Sequence, residues 1–244
     1  MPLDDLAFQT PPAPPSVPPV TRGMEWHRVA KDSRCWRDRL ENEIEARQAR
    51  LADAISGLDI DSNQALDAML SILTIGQQDA FAHARRVAAL AGSMGQMFGL
   101  ADDDLAVVRR AAMLHDLGKL AMPDALLRKP APLGSGEQAV MQRYPRIGAD
   151  LIADVPFLDE AAAIVGVLQE RPDGRGYPAG LVGEDVPLVA QIVAAADAYD
   201  TMTRPRVFRE ALTASDALLE LDRCSGSQFD PQVVRVLKRL VATH

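Results

Sequence analysis

The sequence predicts an all-α fold, and three observations carry that expectation. Apolar residues recur at helical spacing along most of the chain. Extended runs rich in Val, Ile and Thr are scarce. Glycine and proline concentrate in one internal segment, RPDGRGYPAGLVGEDVP at 171–187, and in the first 22 residues.

Taken in chain order, residues 1–22 contain PPAPPSVPP and no periodic apolar pattern. They read as a disordered or polyproline tail, a plain leader being preferred to a docking motif. A helical segment is expected over 23–76. Within 24–58, Trp36, Leu40, Ile44, Leu51 and Ile55 fall on one stripe amid dense charge. That stripe suits a dimerising helix or a helix packed on the following domain. The second reading is preferred, because the pattern is short for a coiled coil. After LDIDSN, helical patterns cover about 64–75, 77–98, 102–117, 135–153, 158–169, 188–203, 212–223 and 231–242. The main domain is expected over 77–244. The segment 171–187 is then a long loop inside a compact domain, and such loops are usually functional or disordered.

Composition narrows the function classes. The 244 residues are 48% apolar and 25% charged, which suits a globular chain. No apolar run approaches the roughly 18 residues of a membrane span, and no basic-then-apolar leader opens the chain. Cys35 and Cys224 form no CxxC pair, so a reduced, cytoplasmic protein is expected. The net charge of −8 disfavours long nucleic acids but leaves room for a small phosphate ligand where basic residues converge.

The chemistry-bearing residues sit inside apolar helices. His115 and Asp116 close the run AAMLHDLGKL and offer one cation an imidazole nitrogen and a carboxylate oxygen. Lys119, four residues after His115, falls on the same helical face and is placed to neutralise a phosphate oxygen. His83 lies one helix earlier, with Asp79 a turn before it. Asp197 and Asp200 share a face in AAADAYDTMT. Buried charges need partners, and a shared cation satisfies His83, His115, Asp116 and Asp197 together. Separate salt bridges would explain any one of these residues, but not the ordered set. His27 and His244 fall outside it.

These residues, with DGRGYP at 173–178, resemble the HD-GYP family of the HD phosphohydrolase superfamily. HARRVAALA at 83–91, AAMLHDLGKLAMPDALLRKPAPL at 111–133, ERPDGRGYPAGLVGEDVP at 170–187, ADAYDTMTRPRVFREA at 196–211 and GSQFDPQVV at 226–234 carry the likeness. The resemblance covers about residues 77–240. It implies an HD-type helical bundle with a long GYP loop, and hydrolysis of cyclic di-GMP by in-line attack of an activated water between two metals. It puts His83, His115, Asp116 and Asp197 on the first metal, with Asp116 and Lys119 in catalysis. It puts Gly174, Gly176, Tyr177, Asp200, Arg206 and Arg209 on the ligand side, the arginines holding phosphates. Asp79 stands where some members have a further acidic ligand. Diguanylate cyclases or other signalling proteins are the partners the family implies, and a homodimer is left open.

The sequence departs from the family at the second metal. The segment resembling MxxHPxxG reads MQRYPRIG, so Tyr144 replaces one histidine. The HHE triplet reads LQE, so Leu168 and Gln169 replace two more. Leucine cannot ligate, a glutamine oxygen is a weak ligand, and tyrosine binds metals chiefly as a phenolate. One divalent metal (Fe, Mn, Zn, Ni or Co) is therefore expected and a second is not. The preferred reading is a degenerate module that binds cyclic di-GMP or a protein partner with weak or no phosphodiesterase activity. The alternative is a single-metal phosphohydrolase of cyclic di-GMP or another nucleotide, with Glu170 or Asp79 as candidate base.

Overall fold

The computed structural model describes residues 25–56, 66, 70, 78–155, 157–205 and 210–243. The tail 1–22 and the loop residues Arg206 and Arg209 lie outside them. Helices dominate, and no β-strand occurs among the described residues, so the all-α expectation holds.

The first helix, α1 (Glu25–Ser56), is long and charged. Leu40, Ile44 and Ile55 are buried, and Trp36 and Leu51 pack against the same core. Its apolar stripe therefore covers this chain's own domain, as the preferred reading has it. Arg47 ties it down by donating to the Met122 carbonyl at 2.7 Å. Two antiparallel helices follow, α2 (Gln78–Phe98) and α3 (Asp102–Leu114). Gly99, at φ 76°, closes α2 and lets Leu100 N–H donate back to the Gly95 carbonyl at 3.1 Å. Asp102, Asp103 and Asp104 then occupy the first turn of α3, where negative charge complements the helix dipole.

The predicted helix over 135–153 is two helices, α5 (Ser135–Met141) and α6 (Tyr144–Ile152), after a short α4 (Asp124–Leu127). Pro145 explains the break, because it lacks an N–H and is tolerated only in a first turn. Helix α7 (Asp159–Val165) is likewise shorter than the expected 158–169. Helix α8 (Leu188–Thr203) runs through the centre, packed on α2, α3 and α7. It is apolar nearly all round, as a buried helix should be. Helices α9 (Ala214–Arg223) and α10 (Pro231–Ala242) close the bundle, with Thr213 and Asp230 as N-caps. No described helix is long and apolar enough to cross a membrane.

Candidate metal centre

Three elements deliver the candidate ligands. His83 comes from α2, Asp197 from α8, and His115 with Asp116 from the end of α3. That end is not helical throughout. The α-helix stops at Leu114, Asp116 adopts φ −104° and ψ 3°, and a 3₁₀ turn (Leu117–Ala121) carries Lys119. The expected shared helical face for Asp116 and Lys119 is thus supplied by a tighter turn. A close approach forces it. Gly118 N stands 3.1 Å from where a Gly148 Cβ would lie, so the turn rests on the backbone of α6.

The imidazoles of His83 and His115 meet edge to face, with centroids 5.1 Å apart. His83, His115 and Asp197 each offer a ligand atom, all within 4.8 Å of one another. Asp116 Oδ1 adds a fourth, 3.5 Å from His115 Nε2. The His115 Nδ1–H donates to the Ala112 carbonyl at 2.7 Å, which leaves Nε2 facing inward as an acceptor. That Nε2 is buried and has no hydrogen-bond partner. Asp116 Oδ1 likewise has no aligned hydrogen bond, although Lys119 Nζ pairs with it at 2.7 Å. Orphaned buried polar atoms are rare. A shared divalent cation satisfies both, so the residues present fit the group.

Behind His83 stands a supporting chain. Its Nδ1 meets Asp200 Oδ2 at 2.7 Å, and its Nε2 meets Asp197 Oδ1 at 3.1 Å. Asp200 is gripped by Arg86 through Nε and Nη2 at 2.7 and 2.8 Å. The sequence reading put Asp200 with the ligand-side residues; its carboxylate instead orients a histidine. Arg86 was missed, because its partner Asp200 lies on another helix far along the chain. We expect Arg86→Met to weaken metal binding by about 10–100-fold, as loss of such outer support typically does. Arg86→Lys should recover part of the loss. Competitive titration with a chelator reads both, and equal affinity in all three proteins would sink the idea.

Charge is concentrated here. Burial pulls the His83 pKa down, but the hydrogen bonds its ring donates to Asp197 and Asp200 outweigh it and carry it up to about 9. Burial raises Asp197 and Asp116. Yet His83 and His115 hold Asp197 well below the usual carboxylate range, and His115 and Lys119 hold Asp116 below it too. Burial also opposes ionisation of Asp200, but His83 and Arg86 bring it down to about 2.

Comparisons with known proteins identify the domain. A family model for the HD domain matches residues 67–233. The response regulator RpfG of Xanthomonas campestris, a cyclic di-GMP phosphodiesterase, is 42% identical over 156 residues, which are 63% of this chain and 41% of that protein. The chain belongs to the HD domain family. A cyclic di-GMP phosphodiesterase of Thermotoga maritima is 33% identical over 65% of this chain and 44% of its own length. The chain thus spans less than half the length of these curated relatives. Among solved structures, a cyclic GMP-AMP phosphodiesterase of Vibrio cholerae shares the fold at TM-score 0.55 and 22% identity, covering 66% of this chain and 44% of that one. A Bdellovibrio bacteriovorus protein described as HDG"Y"P gives the same score and identity, over 82% and 62%.

Two candidates from the sequence do not join the HD centre. Asp79 is exposed in the first turn of α2 and lies outside the metal group. Glu170 is buried, but its carboxylate is occupied. It accepts from Ala179, Gly180 and Leu181 N–H at 2.6, 3.2 and 2.9 Å, and so pins the GYP loop. A carboxylate committed to three backbone donors is a poor general base. Glu170→Ala would strand those donors at roughly 1–3 kcal/mol each where they stay dry. The expected result is faster amide exchange over 171–187, with α2, α3 and α8 little changed. Unaltered loop exchange would refute the pinning role.

The loop is fixed elsewhere as well. Arg171 pairs with Asp173 at 2.8 Å, and Asp173 N–H donates to the Ser227 carbonyl at 3.1 Å. Gly174 sits at φ 72°. A Cβ on Gly176 would stand 2.5 Å from Glu170 Cα. Both glycines therefore shape the loop backbone. Tyr177 is thereby aimed at the centre, where its hydroxyl donates to Gln169 Oε1 at 3.3 Å. Tyr144 is buried, with Lys119 Nζ 5.0 Å from its ring centroid. Burial lifts Tyr144 well above the usual phenol range and, with Asp116 and Asp197 adding to it, lifts Tyr177 to about 12.

Proposed function

We propose that this chain is a degenerate HD-GYP module that holds one divalent metal, binds a cyclic dinucleotide, and turns it over weakly or not at all. The observation that carries the reading is the side chain at each position where the resemblance expects a second-metal histidine. Tyr144 is a neutral phenol at ordinary pH, because burial opposes its ionisation. Gln169 accepts a hydrogen bond from Tyr177. Leu168 is buried in the apolar core. None of the three offers a strong donor.

His83, His115, Asp116 and Asp197 would hold the one metal, which when bound polarises a phosphoryl oxygen and lowers the pKa of water. The remaining steps fall to the protein. Lys119 sits beside Asp116 and is placed to pair with a non-bridging phosphate oxygen. The Tyr144 and Tyr177 hydroxyls keep their protons and can donate to phosphate or base. Neither candidate base named from the sequence stands ready among the described residues, since Glu170 is tied to the loop and Asp79 is exposed. This favours binding over hydrolysis, and favours the preferred reading over the single-metal hydrolase.

The test measures metal per chain, cyclic di-GMP affinity and product formation on one preparation. One equivalent of metal with micromolar binding and slow or absent turnover is expected. Two equivalents with rapid hydrolysis would overturn the reading. Proton linkage gives a second check. His83 carries a proton below about 9 in the metal-free protein, and a ligating imidazole must be neutral, so metal uptake releases that proton. Apparent metal affinity should fall as pH drops below about 9, by about tenfold per unit while that one proton is displaced. Calorimetry in two buffers of different ionisation enthalpy reads the released proton, and no buffer dependence would contradict the linkage.

A further inference from the structure

On the outer side of Asp200 lies a cavity of about 690 Å³ between α2, α8 and α10. Its walls are mostly apolar, with Leu90 from α2, Leu212 before α9, and Leu240 and Val241 from α10. Its size falls within the range of small-molecule sites, which pair apolar walls with a few converging polar groups. Those groups are present. Arg204 reaches into the cavity and pairs only loosely with Asp200, at 3.7 Å. Arg86 spends Nε and Nη2 on Asp200, and its Nη1 has no partner among the described residues. The Tyr199 hydroxyl has none either and lines the same space. Two guanidinium groups face one carboxylate, so the lining carries a net positive charge in a chain of net charge −8.

We propose that this groove is a second ligand site, separate from the metal centre, for a small amphipathic anion with one carboxylate or phosphate head on an apolar body. Arg204, Arg86 Nη1 and Tyr199 O–H supply the donors for the head, and the guanidinium fork suits either oxyanion. Leu90, Leu212 and Leu240 cover the body. A dianionic, wholly polar ligand fits poorly, because the apolar walls would strip its water without return. The proposal stands whether or not a cyclic dinucleotide binds at the metal centre.

Titration with 2-naphthoate tests it, followed by ligand fluorescence and by chemical shifts of α2 and α10. Acetate supplies the head alone and 2-naphthalenemethanol the body alone. Sub-millimolar naphthoate binding is expected, with each control at least about tenfold weaker. Arg204→Gln should lower the affinity about tenfold, since it removes one charged donor. Ala89→Trp, at an exposed position on the groove wall, should block binding while leaving the helical signal intact. Absence of binding overturns the proposal, as does binding that both variants leave unchanged or that 2-naphthalenemethanol matches. A decyl phosphate arm should compete with naphthoate, and failure to compete would also count against the shared head-group site.

Discussion

Gly118→Ala is expected to be among the most damaging single-atom changes in this protein. A methyl at Gly118 would overlap the Tyr144 carbonyl oxygen and lie 2.7 Å from Gly148 N and 2.9 Å from Tyr144 C. These are backbone atoms of α6, so no rotamer change can clear the space. Core overpacking usually costs about 1–3 kcal/mol where side chains can give way. Here the cost should exceed that, and about 4 kcal/mol or more is expected. The 3₁₀ turn must lift off α6, and it carries Lys119 while fixing Asp116. Two readouts should therefore fail together, urea stability and metal affinity. Gly136→Ala is the control, because nothing lies near its Cβ and it sits in a helical first turn. A Gly118→Ala protein that melts like the parent and keeps its metal affinity would show that the turn is not wedged against α6.

That wedge marks the boundary of what the sequence could tell. The run HDLGKL offers the candidate metal ligands and the lysine from residue types and spacing alone. Its glycine is silent without Gly148, which is 30 positions away in the chain and under it in space. The same holds for the site as a whole. His83, His115, Asp116 and Asp197 were legible because charged groups in apolar helices demand a common partner. Arg86 and the occupied state of Glu170 were not, since both depend on which residues a folded neighbour presents. Arg86 reads in the sequence as one of two adjacent arginines, beside Arg85, and its grip on Asp200 sets it apart. Glu170 reads as a free acid until the loop folds back and three amides close on it. Helix ends were less legible than helix existence for the same reason. The Tyr144–Pro145 break is local and readable, whereas the stop at Leu114 comes before a turn whose Gly118 packs on the α6 backbone, and no local residue signals it.

The largest gain of function is expected from restoring three histidines together, Tyr144→His, Leu168→His and Gln169→His. The Tyr144 and Gln169 side chains already border the centre. Lys119 lies near the Tyr144 ring, and Gln169 accepts from Tyr177, whose phenol senses both Asp116 and Asp197. Imidazoles there would face Asp116 Oδ1, the buried oxygen that lacks an aligned hydrogen bond. Leu168 is the costly position, being buried in the apolar core. A histidine in its place should lower the stability of the metal-free protein by a few kcal/mol, about that of a buried polar group lacking its bond. Metal should return that stability, because binding energy to the folded state adds to folding energy. The metal content should rise from one equivalent to two. A second ion is worth several kcal/mol of transition-state stabilisation, so cyclic di-GMP hydrolysis should rise by about 10³-fold. The double variant that keeps Leu168 separates the contributions, as it should bind the second ion weakly without the stability loss. If the folded triple variant still takes up one equivalent, then these three positions are not what limits the centre to one metal.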